Sequence, residues 1–81
     1  MDRAIFDLRA SVEATSLYIL FCALLDQGEC LTLARAGVLW NGTREDLFKA
    51  AGELVQRGVL SASPGLTPDE PLQLNPRDHW R

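Results

Sequence analysis

The segment Thr43–Leu60 (TREDLFKAAGELVQRGVL) constrains the fold more than any other part of the chain. Thr43 belongs to the residue types that cap helix N-termini, and the acidic Asp46 favours the positive first turn of a helix. Apolar residues then recur at helical spacing, which predicts one core-facing side: Leu47, Ala50, Ala51, Leu54 and Val55. Gly58 is the expected end of this helix. We therefore predict a helix over residues 43–57 that leads directly into a strand at Val59-Leu60.

Two further helices are predicted upstream. The first spans Ser11–Gln27, where Ser11 is the expected N-cap and Gly28 follows as the residue that stops the helix. The second spans Leu31–Trp40, is capped by Thr32, and ends at the turn signal Asn41-Gly42.

The helix 11–27 is apolar nearly all round from Leu17 to Leu25. A helix that is hydrophobic on every side must be covered on every side. Two interpretations follow, and the sequence leaves both open. Either the other elements wrap it as a central core helix, or one face pairs with a second subunit in a homodimer. The residues assigned to that dimer interface are Tyr18, Phe21, Leu24 and Leu25.

The C-terminal third predicts a β-hairpin. Leu60–Ser63 and Leu72–Asn75 are its two strands, and the Pro/Gly-rich residues Ser61–Leu66 and Thr67–Glu70 connect them. Residues 1–10 form an arm or a short helix that docks through Ile5, Phe6 and Leu8, and residues 76–81 form a tail. The expected fold is a single domain over residues 1–81, mainly α with one small hairpin.

The stretch Leu31–Leu60 resembles the winged helix-turn-helix of bacterial MarR-like transcription regulators. Leu54, Gly58, Val59 and Leu60 match the pattern that ends the recognition helix and enters the wing, and Thr43 matches its cap. The resemblance implies a three-helix core plus a wing, and a DNA-binding regulator with helix 43–57 in the major groove. Arg44 and Lys49 would then make the leading contacts to duplex DNA, and Gln56 a secondary one.

The charge pattern favours a different partner. The chain carries a net charge of −3 and has no linear basic cluster, although phosphate neutralisation supplies most of the affinity of DNA binders. On helix 43–57, Glu45, Asp46 and Glu53 offset the basic residues, and the expected wing tip carries Asp69 and Glu70. The alternative is therefore a protein-docking winged helix that does not bind DNA and uses the same face or the surface of helix 11–27.

No residue pattern indicates catalysis, a metal site or a cofactor, so we expect a non-enzymatic protein. Two cysteines make neither a disulfide framework nor a zinc site; Cys22 is expected to be buried and Cys30 exposed. His79 is expected to be solvated, with no partner for a metal site or a nucleophile.

The two tryptophans leave alternatives. Trp40 is either a core plug at the helix-turn-helix junction or a contact at its rim, and Trp80 either folds back on the domain or anchors a partner.

The nine-residue apolar run Leu17–Leu25 is about half of what a membrane span needs. We therefore expect a cytoplasmic protein with no membrane partner.

Overall fold

Three α-helices and a two-stranded antiparallel sheet make up the computed structural model, which describes residues 3–61 and 69–81. The helices are α1 (Val12–Asp26), α2 (Leu33–Leu39) and α3 (Arg44–Gln56), and the strands are β1 (Leu60–Ser61) and β2 (Gln73–Leu74). Short 3₁₀ turns at Arg3–Phe6 and Arg77–His79 flank them. The mainly helical prediction with a small hairpin is confirmed.

Each helix begins at the residue that the sequence predicts as its cap. The hydroxyl oxygens of Ser11, Thr32 and Thr43 accept hydrogen bonds from backbone N–H groups three residues further on, at 3.1–3.2 Å. Each bond satisfies one of the amide donors that a helix N-terminus leaves without an intrahelical partner. A cap of this type typically contributes about 1 kcal/mol, so three local signals fix three helix starts.

Two glycines end the long helices by the same mechanism. Gly28 has φ +76° and Gly58 has φ +72°, both in the left-handed region. After α1, the Glu29 N–H donates to the Leu24 carbonyl at 3.0 Å. After α3, the Val59 N–H donates to the Leu54 carbonyl at 2.9 Å. Both are the six-residue backbone bond of a Schellman motif, which reverses the chain at the helix end.

The core lies between α1 and α3, with α2 and the N-terminal turn closing its sides. Phe21 and Leu17 of α1 and Leu54 of α3 are fully buried. Ile5 reaches this core from the 3₁₀ turn and is also fully buried, whereas its neighbour Phe6 remains 57% exposed. The partly buried Leu8 also packs against the core. The arm therefore docks through two of the three expected side chains and leaves Phe6 in solvent.

The two strands form an antiparallel hairpin, and a hydrogen bond connects this hairpin to the segment that precedes α2. Leu60 pairs with Leu74 and Ser61 with Gln73 in antiparallel register. Just before β2, the Leu72 N–H donates to the Leu31 carbonyl at 2.8 Å. The segment before α2 thus makes a backbone hydrogen bond to the hairpin, on the side of β2 opposite β1.

The C-terminal residues fold back onto the domain, which settles the alternative left open for Trp80. Its ring packs edge-to-face against Tyr18 with the centroids 5.5 Å apart, and its indole N–H donates to the Asn75 carbonyl at 3.0 Å. The Arg81 N–H donates to the Arg57 carbonyl at 2.7 Å, just beyond the end of α3. Residues 76–81 are therefore a packed segment and not a free tail.

Several expectations need correction. Cys22 is only half-buried, while Cys30 is exposed as expected. Glu70 is expected at an exposed wing tip, but one of its carboxylate oxygens is buried, without a protein partner among the described residues. The strands are shorter than predicted, and the connection expected over residues 62–68 lies outside the described residues. The sequence predicts strand length poorly here, because each strand of the hairpin has only two side chains whose alternation could mark its ends.

Three glycines in or at the ends of the two long helices give a graded test of this account. A Cβ at Gly58 would clash with the His79 carbonyl oxygen, a Cβ at Gly28 meets nothing within 4 Å despite its positive φ, and Gly52 has open space. We expect Gly58→Ala to destabilise by more than about 2 kcal/mol, because backbone strain and a backbone clash add.

Gly28→Ala should destabilise the fold by about 1 kcal/mol, because it adds only the strain of a side chain at positive φ. Gly52→Ala should stabilise the helix by about 0.5–1 kcal/mol. Urea unfolding followed by tryptophan fluorescence measures all three. Equal effects for Gly58→Ala and Gly28→Ala would contradict the described seating of the C-terminal segment.

Candidate functional site

The three residues predicted to contact DNA are all exposed on α3, but they do not form one surface. Lys49 and Gln56 are seven residues apart, so they lie within about 20° of each other around the helix. Arg44 lies about 140° from Lys49. The structure thus brings Lys49 and Gln56 onto one face and puts Arg44 on a different flank.

Lys49 lies among carboxylates. It lines a shallow cleft of about 320 Å³ between the start of α1 and α3, together with Glu13, Asp46 and Glu53. Three acidic side chains therefore line the same cleft as this one basic side chain. Because each carboxylate repels phosphate at short range, the local potential opposes nucleic-acid binding at Lys49. Glu13 is distant in sequence, and so this surrounding was not apparent from helix 43–57 alone.

Glu53 has a structural role that sequence reasoning missed. Its Oε2 accepts a hydrogen bond of 2.7 Å from the backbone N–H of Ser11, 42 residues earlier in the chain. This bond lowers the pKa of the Glu53 carboxyl below its usual value, burial opposes the shift, and the charge of Arg57 adds a smaller lowering. The carboxylate therefore holds the first residue before α1 against α3.

Arg57 makes a second connection of the same kind. Its Nη1 donates to the Leu8 carbonyl at 3.0 Å, 49 residues away in sequence. Arg9, between the two connected residues Leu8 and Ser11, has φ +59°, which is uncommon for a residue with a side chain. Glu53 of α3 and Arg57, which directly follows this helix, thus hold the backbone on both sides of this strained position.

Arg44 borders an apolar groove between α2 and the start of α3, which we call the α2–α3 groove. Its volume is about 360 Å³, and Arg44 is its one charged lining residue in the described part of the chain. The lining consists of Leu33, Ala34, Gly37, Val38, Trp40, Gly42, Arg44, Leu47 and Phe48. Val38 is 71% exposed, although it is a large aliphatic residue.

Trp40 lies across the turn between α2 and α3. Its ring is half-buried, and its Nε1 is shielded from solvent with no hydrogen-bond acceptor among the described residues. A Cβ at Gly42 would lie 2.9 Å from this nitrogen, so the absence of a side chain at residue 42 makes room for the indole. Trp40 is therefore both a partial plug and part of the groove wall, intermediate between the two expected roles.

The face of α1 assigned to a second subunit is mostly the core of the single chain. Tyr18, Phe21 and Leu24 are at most 4% exposed, and of the four assigned residues only Leu25 is substantially accessible, at 48%. These three residues pack inside the monomer and leave no surface for a partner, which corrects their assignment. The reason is that α1 is apolar all round, so its sequence does not indicate which side faces α3.

One cation of α2 is already neutralised. Arg35 forms a two-point ion pair with Glu29, with Nε–Oε2 at 2.6 Å and Nη2–Oε1 at 2.7 Å. This pairing raises the pKa of the Arg35 guanidinium further above its usual value. A phosphate would have to compete with Glu29 for this side chain.

No group of three or more His, Cys, Asp or Glu side chains that could hold a metal ion occurs in residues 3–61 and 69–81. Within the same residues, no helix combines the length and apolarity needed to cross a bilayer. Comparison of the chain with models of known protein families, with curated proteins and with solved structures found no match.

The role of Glu53 can be tested through the pH dependence of stability. Because its pKa is lowered in the folded state, its charge stabilises the fold above about pH 4.5 and ceases to do so as the pH falls through the folded-state value. Glu53→Gln keeps an acceptor for the Ser11 N–H but loses the charge. We expect the stability gap between wild type and this variant to shrink in acid.

Urea unfolding from about pH 7 to about pH 3 measures this gap. Glu45→Gln is the matched control, since it removes an exposed carboxylate from the same helix without a contact to α1. A gap for Glu53→Gln that does not change with pH would contradict the assigned bond.

Proposed function

We propose that this chain is a non-catalytic winged-helix module that binds a protein partner in the α2–α3 groove. The winged-helix assignment is supported by the order of three helices followed by a hairpin. It is further supported by the hydrogen bond from the Leu72 N–H to the Leu31 carbonyl, which links the segment before α2 to the hairpin. The pattern shared with MarR-like regulators is consistent with this fold but does not specify the partner.

The observation that carries the proposal is the apolar surface at the α2–α3 turn. Val38 lines the groove and is 71% exposed, and the half-buried rings of Trp40 and Phe48 line it as well. Leu39, the next residue after Val38, is 52% exposed just outside the groove. Single exposed aliphatic residues are ordinary on protein surfaces, but neighbouring ones beside a groove indicate an interaction site. Aromatic side chains partly open to solvent also fit a surface that is desolvated when a partner binds.

The chemistry of the groove defines its partner as an apolar segment that carries a carboxylate. Leucine-like side chains suit the aliphatic and aromatic walls, and an acidic group suits Arg44 at the rim, which has no ion pair among the described residues. A guanidinium can bind a carboxylate through two parallel hydrogen bonds. Electrostatic complementarity of this kind contributes more to specificity for a partner than to affinity.

A second candidate is a DNA-binding regulator, and one observation favours it. Lys49 and Gln56 are exposed on one face of α3, two turns apart, as groove-reading side chains of a recognition helix would be. Against it stand the carboxylates around Lys49 and the pairing of Arg35 with Glu29. We therefore place DNA second.

A titration of fluorescent duplex DNA of about 20 base pairs at about 50 mM salt tests the choice of partner. We expect no saturable binding tighter than about 10⁻⁴ M, the weak end of non-specific DNA affinity. Micromolar binding that falls steeply with salt, and that weakens in Lys49→Gln but not in Arg35→Gln, would overturn the proposal in favour of the DNA-binding candidate.

A pair of helical peptides tests the groove directly. Both carry the same leucines on one face, and they differ by a glutamate or a lysine beside that face. We expect the acidic peptide to shift the Trp40 indole N–H resonance and to bind several-fold more tightly than the basic one. Arg44→Glu should reverse this preference, because it inverts the one charge that lines the groove in the described part of the chain.

Lys49→Glu is the matched control, since it makes the same charge change on the other side of α3. The Trp80 indole N–H, which is bonded to the Asn75 carbonyl, serves as the internal reference. Equal binding of the two peptides, or no shift at Trp40 with either, would contradict the assignment.

A further inference from the structure

The side of α1 that faces away from the core carries an uncharged, partly apolar surface. Val12 is 78% exposed and Ile19 39% exposed, and both Ser16 and Ala23 are exposed between and beyond them. We call these four residues the outer α1 face. They follow one another at spacings of four, three and four residues, so they form a single stripe along the helix.

This surface is larger than the helix alone. Ser16 and Leu20 also line a cleft of about 410 Å³ together with Leu39 and Trp40, residues of the α2–α3 turn, and the acidic Glu13 and Asp46. Leu39 is 52% exposed. The apolar side chains of the outer α1 face are therefore linked through Leu20 to Leu39 at the end of α2, while Glu13 and Asp46 line the same cleft.

We propose that the outer α1 face pairs with the same face of a second copy of this chain, in an antiparallel arrangement about Ile19. A two-fold interface places each patch against itself, so like charges at its centre would repel one another. No charged residue occurs between Glu13 and Asp26, and the stripe meets this requirement over most of its length. Ser16 and Ala23 are small enough for the two helices to approach closely.

The charges at the ends of α1 favour the antiparallel direction. Asp26 is in the last turn of α1, which contains no basic residue, so its carboxylate is next to the negative end of its own helix. Parallel pairing would place the two Asp26 carboxylates side by side, whereas antiparallel pairing about Ile19 places each one opposite Val12 of the second copy, away from the negative end of that helix. Glu13 lies about 100° around the helix from Val12 and so remains at the flank of the contact.

The available area indicates a dimer of modest affinity. A standard interface buries about 800 Å² per partner, roughly one-sixth of the 5174 Å² surface of this chain. The 15-residue α1 is about 22 Å long, and a strip along it reaches that area only if Leu20 and Leu39 take part. We infer dissociation in the micromolar range. This inference concerns self-association and does not depend on which partner the α2–α3 groove binds.

Sedimentation of the full chain at concentrations from about 5 to about 500 µM tests whether it dimerises as expected for an interface of this size. We expect the mass to rise from 9.0 kDa towards twice that value in the wild type. Ile19→Asp should remain at the monomer mass over the whole range. Val38→Asp is the matched control, because it places the same charge on an exposed aliphatic residue outside this face, and it should dimerise like the wild type.

Thermal unfolding verifies that each variant is folded. A wild-type mass that stays at 9.0 kDa at the highest concentration would overturn the proposal. It would also be overturned if Val38→Asp dissociated the dimer while Ile19→Asp did not.

Cross-linking tests the geometry without a charge in the interface. In a chain with Cys22→Ser and Cys30→Ser, Ile19→Cys places one thiol near the two-fold axis, and oxidised glutathione supplies the oxidant that joins two such thiols. We expect a covalent dimer at least ten-fold faster than with Val38→Cys in the same background. Equal rates for the two variants would exclude pairing about Ile19.

Discussion

The need to cover α1 is the constraint on which the rest of the structure depends. This helix contains no charged residue between Glu13 and Asp26, and the main apolar side that it buries comprises Leu17, Tyr18, Phe21 and Leu24. Distant parts of the chain supply the cover: α3 lies along it, Ile5 reaches it from the N-terminal turn, and Trp80 packs on Tyr18. Burial of that many large side chains provides most of the driving force for folding of so small a chain. The side of α1 left uncovered is the basis for the proposed self-association.

Local signals predicted the helices well because their physical causes are local. A hydroxyl that accepts an N–H three residues away needs no tertiary structure, and a glycine at positive φ needs only its own missing side chain. Ser11, Thr32, Thr43, Gly28 and Gly58 therefore have the predicted roles. The orientation of α1 could not be predicted in the same way. Its apolar residues show too little periodicity to indicate a side, and three of the four residues assigned to a dimer are in the core.

The candidate site was predictable in its location and less so in its electrostatics. The sequence indicated the neighbourhood of α3 and the conflict between its basic and acidic residues. It did not indicate that Glu13 of α1 lines the same cleft as Lys49. This arrangement depends on how α1 packs against α3, which is a property of the packed core. The position of the Trp40 indole nitrogen was not predictable either, because it depends on the space left at Gly42. This nitrogen has no hydrogen-bond partner among the described residues.

The two bonds from α3 to the N-terminal arm have a consequence for the order of folding. Glu53 and Arg57 hold Ser11 and Leu8 across 42 and 49 residues of chain. Closing loops of that length carries an entropic cost that must be met before the contacts form, whereas the capped helices can begin locally. The arm therefore reaches its native position only after the last turn of α3 exists. Arg9, with its left-handed geometry, lies between the two held residues, so we expect the arm to report completion of the domain and not its nucleation.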